Sequence, residues 1–224
     1  MRKTSAKLRL DGEQTREALI EAAGVLAAEV GWPNVQAKHV CARAGVNTAA
    51  VNYWFGSRDA LYEAVLAKIP DAMIDDANFV SMLQGTDLDE ALDRCLDYLI
   101  DHMAHTSHWA IRVWAREVTG HPSEAFLKLA RARGVTRVGG MRRFLGAYLG
   151  LDETDPRVSV ALMSFMSMLF WMMTVSPEIK GVLLSDLIEK PQVMTEAVKN
   201  HLKLTLRALR AEVANAKEKR RVHV

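Results

Sequence analysis

The sequence predicts an all-α fold, and two observations carry that prediction. Apolar residues recur at helical spacing through most of the chain, as in the stripe Leu92, Leu96 and Leu99. No window shows the sustained two-residue alternation, bounded by turn residues, that marks a β-strand. Half of the 224 residues are hydrophobic and 25% are charged. This length and composition fit one or two ordinary globular domains with a sizeable apolar core.

Capping and breaking residues divide the first 69 residues into four helices. The first helix is expected from Asp11, where Gln14 completes a capping box, to Gly31. Residues 1–11 are expected to form a flexible basic arm before it. The other three helices are expected over 35–44 with Asn34 as the cap, from Asn47 or Thr48 to Phe55, and from a cap at Ser57 onwards.

Longer helices are expected in the rest of the chain, and the joint between the two parts is placed at Ile69–Pro70. The predicted domains are therefore residues 1–69 and residues 70–224. The predicted helices of the second domain cover 88–105, a stretch from Ser107 through Arg116, a long helix from Ser123 to Leu149, 158–176 and about 191–214. Gly150 is expected to stop the helix that ends at Leu149.

Charge is distributed unevenly, although the formal net charge is only +2. From Gln36 to Arg58 there are three basic residues and no acidic one, whereas 71–101 holds nine acidic residues and one arginine. The first stretch favours a polyanion and the second repels one. Two cysteines do not suggest a disulfide framework, and the N-terminus lacks the apolar segment of a signal peptide. A reduced, cytoplasmic location is therefore expected.

The stretch GVNTAAVNYWFGSRDALY, residues 45–62, combines polar amides with adjacent aromatic side chains. With the preceding short helix and the turn at Gly45, it predicts a helix-turn-helix, whose second helix enters the major groove of DNA. The amide of Asn47 can donate and accept at an adenine edge, while Tyr53 and Arg58 suit phosphate. A helical hairpin with surface amides has the same shape and is the alternative. The acid-free charge pattern favours DNA.

Two longer motifs, TREALIEAAGVLAAEVGW and VCARAGVNTAAVNYWFGSRDALYEAVL, fall within residues 15–67. They closely resemble the tetracycline-repressor (TetR) family of bacterial transcription regulators. Asn52, where that family usually has Tyr, makes the chain most similar to the CecR-type subgroup. RVWAREVTGHPSEAF and FLGAYLGL weakly resemble the effector domain of the same subgroup. The resemblance implies an N-terminal three-helix helix-turn-helix domain and a larger C-terminal helical domain for ligand binding and dimerisation.

The resemblance also implies which residues lie nearest DNA. By position these are Gln36, Asn47, Thr48, Tyr53, Trp54 and Arg58, with Lys38 and Asn52 as second choices. The chain departs from the family pattern at three places, with Val35-Gln36 where the second helix usually opens with Thr or Ser, His39 where an acid is common, and Trp54 where a His is common. These departures concern base preference and phosphate contacts rather than the motif itself.

The implied mechanism is that of a repressor. Family members are homodimers that bind a palindromic operator and are released when a small-molecule effector enters the C-terminal domain. The sequence supports a dimer independently, because the Met-rich apolar helix (156–176) and the last amphipathic helix (191–214) both need burial. Burial of both helices inside one subunit is the alternative. A membrane span over the apolar helix is not expected, because flanking Lys/Arg clusters are missing.

The effector pocket is expected among the middle helices, where aromatic, Met and Arg side chains concentrate. The candidates are Met103, Trp109, Arg112, Trp114, Arg116, Phe126, Phe165, Met168 and Trp171. The two arginines would suit an acidic or polar group on the ligand. For any single aromatic or Met residue of this set, a place in the core is the favoured interpretation.

Other functions are weighed against this one. His102, His105 and His108, spaced three residues apart, suggest a metal-sensing regulator as an alternative, although a surface histidine cluster gives the same pattern. The sequence contains no Gly-rich phosphate loop, nucleophile elbow or paired CxxC, so neither an enzyme nor a bound cofactor is expected. An enzyme and a helical adaptor that does not bind DNA remain as less favoured alternatives.

Overall fold

The computed structural model describes residues 2–73, 79, 81–85, 87–105, 109–185 and 189–222. Within these ranges the chain forms helices and turns and no β-strand, which confirms the predicted all-α class. The helices are α1 (Arg2–Val30), α2 (Ala37–Ala44), α3 (Ala50–Phe55), α4 (Arg58–Met73), α5 (Leu88–His105), α6 (Trp109–Thr119), α7 (Glu124–Leu129), α8 (Val135–Leu149), α9 (Pro156–Thr174), α10 (Pro177–Leu183) and α11 (Pro191–Val222). A 3-10 turn covers Trp32–Asn34, and a π-helical turn covers Ala130–Gly134.

The chain divides into two compact units. The first unit comprises Met1–Met73 with Ser107–Ala132, and the second comprises Ile74–Thr106 with Arg133–Val224. The predicted division at residue 69 differs from this grouping at α6 and α7. These two helices belong to the first unit because Trp109, Val113 and Phe126 are buried in the same core as residues of α1 and α4.

Helix α1 begins before, and helix α4 ends after, the limits that the sequence predicted for the first domain's helices. The backbone is helical from Arg2, whereas a flexible arm was expected up to Asp11. Residues 2–10 contain several good helix formers and no Gly or Pro, so nothing there stops the helix. At the other end, α4 continues through Pro70 to Met73, across the joint predicted at Ile69–Pro70. A proline removes one helical hydrogen bond, and tertiary packing overrides that loss here because Pro70 is buried.

Local signals set the boundaries of the short helices. Gly31 and Gly45 adopt φ values of 78° and 68°, which favour glycine, at the ends of α1 and α2. Ser57 caps α4 as predicted, because its Oγ accepts the Ala60 N–H at 3.0 Å. Asn34 does not cap α2 as expected: its Nδ2 donates to the Val30 carbonyl at 2.8 Å, and α2 begins later, at Ala37.

The predicted long helix from Ser123 to Leu149 is interrupted. Ser123 does cap it, with its Oγ accepting the Phe126 N–H at 3.2 Å. The π-helical turn then separates α7 from α8. Such a turn shifts the apolar stripe around the helix axis. Phe126, before the turn, packs in the core of the first unit, and Leu145, after it, packs in that of the second.

The second unit is built around a core from α5, α8, α9 and α11. Leu96, Leu145 and Phe165 are among its fully buried side chains. The last helix extends to Val222, beyond the expected end near 214, because the added residues are mostly Lys, Glu, Arg and Ala. Each unit contains one free, buried cysteine, Cys41 in the first and Cys95 in the second.

Helix α9 is long and apolar enough to cross a membrane by length and composition, and it is the one such helix in the part of the chain that the structure describes. Val158, Ala161 and Phe165 recur at helical spacing on its length and are buried in the core of the second unit. One face of α9 therefore packs as a core helix does. Met163 and Val160 lie elsewhere on the helix and are 72% and 63% exposed.

Candidate nucleic-acid interface

The helix-turn-helix consists of α2, the turn at Gly45, and α3. The Val46 N–H donates to the Cys41 carbonyl at 3.0 Å, and the Cys41 thiol contacts the Thr48 carbonyl at 3.6 Å. Cys41 is fully buried, as is Val51 on α3. These contacts fix the angle between the two helices, so that the outer residues of α3 form a defined surface.

Asn47 forms the turn that precedes the predicted recognition helix, α3. Its Oδ1 accepts the Ala49 N–H at 2.9 Å, and the Asn47 carbonyl accepts the Ala50 N–H at the same distance. The side chain is also exposed. Asn47 therefore stabilises the turn before α3 through its side-chain oxygen. A cap at Asn47 or Thr48 was expected, but the N-cap position is Ala49, two residues after Asn47.

Most of the predicted DNA contacts are exposed side chains of α2, α3 and their connecting turn. The exposed residues are Gln36, Lys38, Asn47, Thr48, Asn52 and Tyr53. Gln36 precedes the first residue of α2, where backbone N–H groups are unpaired. Tyr53 is 79% exposed, which is unusual for an aromatic residue inside a folded unit. Tyr53 and the exposed amide of Asn52 are adjacent on α3.

Trp54 has a packing role as well. It is half-buried, and its ring meets that of Tyr53 edge-on, with centroids 5.0 Å apart. On its other side the ring lies against Gly12 of α1, where an added Cβ would approach Trp54 Cη2 to 2.8 Å. Gly12 is therefore needed for the close contact between α1 and α3, and sequence reasoning did not identify it.

Arg58 is half-buried and makes its contacts within the protein. One guanidinium nitrogen donates to the Trp32 carbonyl at 3.1 Å, and the guanidinium carbon lies 4.9 Å from the centre of the Trp32 ring. The side chain was expected to contact phosphate, and here it holds the turn that leads into α2. Arg43, which contributed to the predicted positive stretch, pairs with Glu29 of α1 at 3.3 Å.

Several residues that pack beside the helix-turn-helix were missed by sequence reasoning. Trp32 stacks on Tyr62 of α4 with ring centroids 4.3 Å apart and an angle of 8° between the planes. The Tyr62 hydroxyl donates to the carboxylate of Glu117 on α6 at 2.5 Å. The signal available in the sequence was weak: Glu117 is an acidic residue one turn from Val113 on an apolar helix face.

The predicted effector-binding residues do not all belong to one unit. Trp109, Arg112, Trp114, Arg116 and Phe126 are in the first unit, and Phe165, Met168 and Trp171 are in the second. Met103 lies outside the residues whose side chains are described. In the second unit, Phe165 is buried, whereas Met168 and Trp171 are half-buried.

In the first unit, the larger of these side chains hold α6 against α1. Trp109 is buried, its Nε1 donates to Glu21 at 2.7 Å, and its ring occupies the space beside Gly24. Arg116 donates to the Ala28 carbonyl at 3.2 Å and to the Glu29 carbonyl at 3.1 Å. These contacts give Trp109 and Arg116 a structural role, and their ligand role stays a prediction.

A shallow cleft of about 220 Å³ lies between α4 and α7 in the first unit. Its lining consists of Glu63, Leu66, Ala67, Ala125, Lys128, Leu129 and Ala132. None of the predicted effector-binding residues lines it.

The residues that the structure describes contain no group of three or more His, Cys, Asp or Glu side chains arranged to hold a metal ion. The histidines of the metal-sensing alternative, His102, His105 and His108, lie outside the residues whose side chains are described. That alternative has no support from the described part of the chain.

Comparison with protein families identifies the chain. Residues 19–65 match the model for bacterial regulatory proteins of the tetR family, and residues 87–209 match the model for the C-terminal domain of the HTH-type transcriptional dual regulator CecR. The chain belongs to the TetR family. TetR-family proteins are ligand-responsive, DNA-binding transcriptional regulators, and this chain is accordingly a regulator and not an enzyme. A search of curated proteins found no match.

Solved structures of TetR-family regulators share the fold. PfmR from Thermus thermophilus is 20% identical with a TM-score of 0.59, over 84% of this chain and 97% of that one. HlyIIR, a hemolysin II transcriptional regulator, is 20% identical with a TM-score of 0.56, over 80% and 95%. NalD, the secondary repressor of the MexAB-OprM multidrug efflux pump in Pseudomonas aeruginosa, is 17% identical with a TM-score of 0.53, over 88% and 96%. At these identities the likeness concerns the fold alone.

Proposed function

We propose that this protein is a homodimeric, cytoplasmic repressor that binds a palindromic operator and is released by a small-molecule effector. The observation that carries the proposal is the exposed amide and aromatic surface of α3, presented by a helix-turn-helix in a chain of the TetR family. In such a dimer each helix-turn-helix occupies one half-site, so the operator mirrors the two-fold symmetry of the protein.

The DNA contacts of the proposal are those of the exposed surface. Asn52 and Asn47 would contact base edges, whereas Lys38, Thr48 and Tyr53 would contact phosphate. Gln36 would place its amide at the start of α2. Trp54 and Arg58 remain in the proposed interface, with their internal contacts setting the positions of α3 and of the turn before α2.

The dimer contact of the proposal uses α9 and α11. Large apolar side chains are exposed on both helices, including Met163 at 72%, Val160 at 63% and Leu204 at 69%. Monomeric proteins seldom leave so many large apolar residues in water on neighbouring helices. A contact of two helices from each subunit would bury them in a four-helix arrangement.

Release by an effector requires two states of the dimer. A ligand that binds more tightly to the state with unsuitable spacing of the two helix-turn-helix elements lowers DNA affinity by that difference. Phe165, Met168 and Trp171 are proposed pocket residues in the second unit, and Trp109, Arg112, Trp114, Arg116 and Phe126 stay candidates in the first. Met103 completes the set.

Selection of bound duplexes from a random DNA pool, at two salt concentrations, tests the DNA-binding proposal. We expect a palindromic consensus, and an affinity that falls steeply as salt rises because phosphate contacts release counterions. Asn52→Ala should relax the sequence preference, whereas Asn200→Ala, the same change at an exposed position of α11, should leave it unchanged. Absence of any enrichment at low salt would overturn the proposal.

Sedimentation of the purified protein tests the dimer contact. Met163→Glu places a charge on the exposed face of α9 and should shift the protein toward monomer. Leu127→Glu changes a side chain of α7 that is 38% exposed and should leave the dimer intact. If Met163→Glu stays dimeric, the contact lies elsewhere.

A further inference from the structure

Glu117 of α6 is a buried carboxylate that the proposed DNA contacts do not explain. It is 7% exposed and is the one charged side chain among the described residues that is buried. Its Oε1 accepts hydrogen bonds from the Tyr62 hydroxyl at 2.5 Å and the Ser123 hydroxyl at 3.0 Å, and its Oε2 accepts the Ser123 N–H at 2.7 Å. Burial of a carboxylate is strongly unfavourable unless donors satisfy its oxygens, so this site needs all three.

Tyr62 carries this contact from α6 to α4. Burial, together with the Glu117 carboxylate, raises the pKa of the Tyr62 hydroxyl far above its usual range. The hydroxyl therefore stays protonated and remains a donor to Glu117. The bond to Glu117 fixes the ring of Tyr62, and the flat face of that ring stacks on Trp32 at 4.3 Å.

Trp32 is the residue through which α4 holds the start of the helix-turn-helix. It begins the 3-10 turn after α1, and its carbonyl accepts both the Val35 N–H at 3.0 Å and the Arg58 guanidinium at 3.1 Å. Arg58 and Tyr62 are one helical turn apart on α4, so both can contact Trp32. The turn leads directly to Gln36, which precedes α2.

Arg116, the neighbour of Glu117, holds the other side of the same connection. It donates to the carbonyls of Ala28 and Glu29, which belong to the last turn of α1. Helix α6 therefore contacts the end of α1 directly through Arg116. Through Glu117, by way of Tyr62, it contacts the turn that follows α1. Both contacts lie within the first unit.

We propose that Glu117 is a positioning residue for DNA recognition, which fixes the turn at Trp32, and with it α2 and α3, through the hydroxyl of Tyr62. The inference rests on the proposed DNA binding. Under this proposal α6, which lies outside the helix-turn-helix, fixes the positions of the exposed residues of α2 and α3. A variant that breaks the network while leaving the unit folded should lower the preference for the operator over unrelated DNA.

The test uses the full chain and two duplexes, the consensus recovered by selection with the wild-type protein and an unrelated duplex of equal length. Tyr62→Phe removes the hydroxyl and keeps the ring that stacks on Trp32. Glu117→Gln keeps the shape of the side chain but replaces one carboxylate oxygen with an NH2 group. That group cannot accept a hydrogen bond from the donor that the oxygen satisfied. We expect each variant to reduce the ratio of the two affinities about twofold to tenfold.

Tyr148→Phe is the matched control. The Tyr148 hydroxyl also donates to a carboxylate, that of Asp89, at 2.9 Å, and both residues lie in the second unit. This variant should keep the wild-type affinity ratio. Circular dichroism and thermal unfolding establish that each variant is folded at the temperature of the binding measurement, and Tyr62→Phe serves alone if Glu117→Gln does not fold.

The outcomes separate the two proposals. If the variants lose thermal stability but keep the wild-type affinity ratio, Glu117 only stabilises the unit and the inference is overturned. An equal loss in Tyr148→Phe would also overturn it, because the effect would not depend on the turn at Trp32. If the wild-type protein enriches no duplex, the proposed DNA binding itself has failed, and the inference fails with it.

Discussion

The two compact units hold their helices together by different means. In the first unit, α4 and α6 are joined by a buried network in which three donors satisfy Glu117. In the second unit, α5 and α11 pack through leucines and are flanked by ion pairs at the surface. Asp89 pairs with Arg207 and Arg210 at exposed positions, as Glu90 does with Arg94, whereas Asp97 and Asp93 pair with lysines that are only 15% exposed.

The difference concerns how much each arrangement depends on geometry. Water and salt screen the surface pairs, so each contributes little and can be lost singly. A buried carboxylate cannot lose one donor without leaving an unsatisfied polar group away from water. We therefore expect the loss of one polar contact to be tolerated between α5 and α11. The same loss should be strongly destabilising at the junction of α4 and α6.

The largest expected effect comes from removing the buried carboxylate. Glu117→Ala leaves the Tyr62 hydroxyl and both donors of Ser123 without their acceptor, and should lower the free energy of unfolding by about 3 kcal/mol or more. Glu90→Ala, which removes the exposed partner of Arg94 on α5, should lower it by less than about 1 kcal/mol. Urea unfolding of the two variants measures both values. Equal losses would show that the two arrangements do not differ as described.

A second contrast uses one glycine from each unit. An added Cβ at Gly24 of α1 would lie 2.4 Å from the ring of Trp109, whereas one at Gly140 of α8 would meet nothing within 4 Å. Gly24→Ala should destabilise the protein by about 1–3 kcal/mol through overpacking. Gly140→Ala should stabilise it by about 0.5–1 kcal/mol, because Ala favours a helix interior. Opposite shifts in melting temperature are expected, and a rise for Gly24→Ala would contradict the packing of Trp109.

A smaller effect is expected from exchanging charges among the surface ion pairs. Arg94→Glu places two like charges four residues apart on α5, and combining it with Glu90→Arg restores an attractive pair. A double-mutant cycle should give a coupling energy of about 0.5–1 kcal/mol that decreases as salt rises. The same cycle for Tyr62→Phe and Glu117→Gln should give a coupling that salt hardly changes, because that pair is buried. Salt dependence in the buried pair would weaken the contrast.

The smallest expected effect concerns acid. The hydrogen bond from Tyr148, with help from Arg207 and Arg210, lowers the pKa of Asp89 below its ordinary value of 3.8. A carboxyl group with a lowered pKa in the folded state adds stability above the ordinary value, and that contribution is lost as pH falls through the folded pKa. Asp89→Asn should therefore unfold with a flatter pH dependence below about pH 4. Identical acid profiles for wild type and Asp89→Asn would contradict this.

Short-range signals in the sequence were sufficient for much of the fold. Gly31, Ser57 and Ser123 act on backbone groups within four residues, so their effects at helix ends follow from the sequence alone. The missing stop before Asp11 and the passage of α4 through Pro70 depend on propensity and packing together. Neither feature follows from capping and breaking residues alone.

The candidate site was less predictable because its key contacts join distant residues. The exposed surface of α3 followed from the motif. The contacts of Arg58 and Tyr62 with Trp32 did not, because they require α4 to lie beside the turn. Glu117 is 55 residues from Tyr62 in the chain, and nothing in its local sequence indicates that partner. A buried aromatic residue such as Trp109 suits the lining of a ligand pocket as well as a packed core. Its spacing in the sequence therefore could not decide between these two roles.

The two buried cysteines have a practical consequence. Cys41 and Cys95 are each fully shielded from solvent, and burial raises the pKa of the Cys95 thiol to about 12. Because the thiolate is the species that alkylating reagents attack, modification has to wait until the surrounding helices separate. The two sites fall on different peptides, so mass spectrometry of one iodoacetamide time course records opening of the first unit at Cys41 and of the second at Cys95, in the unmodified natural sequence.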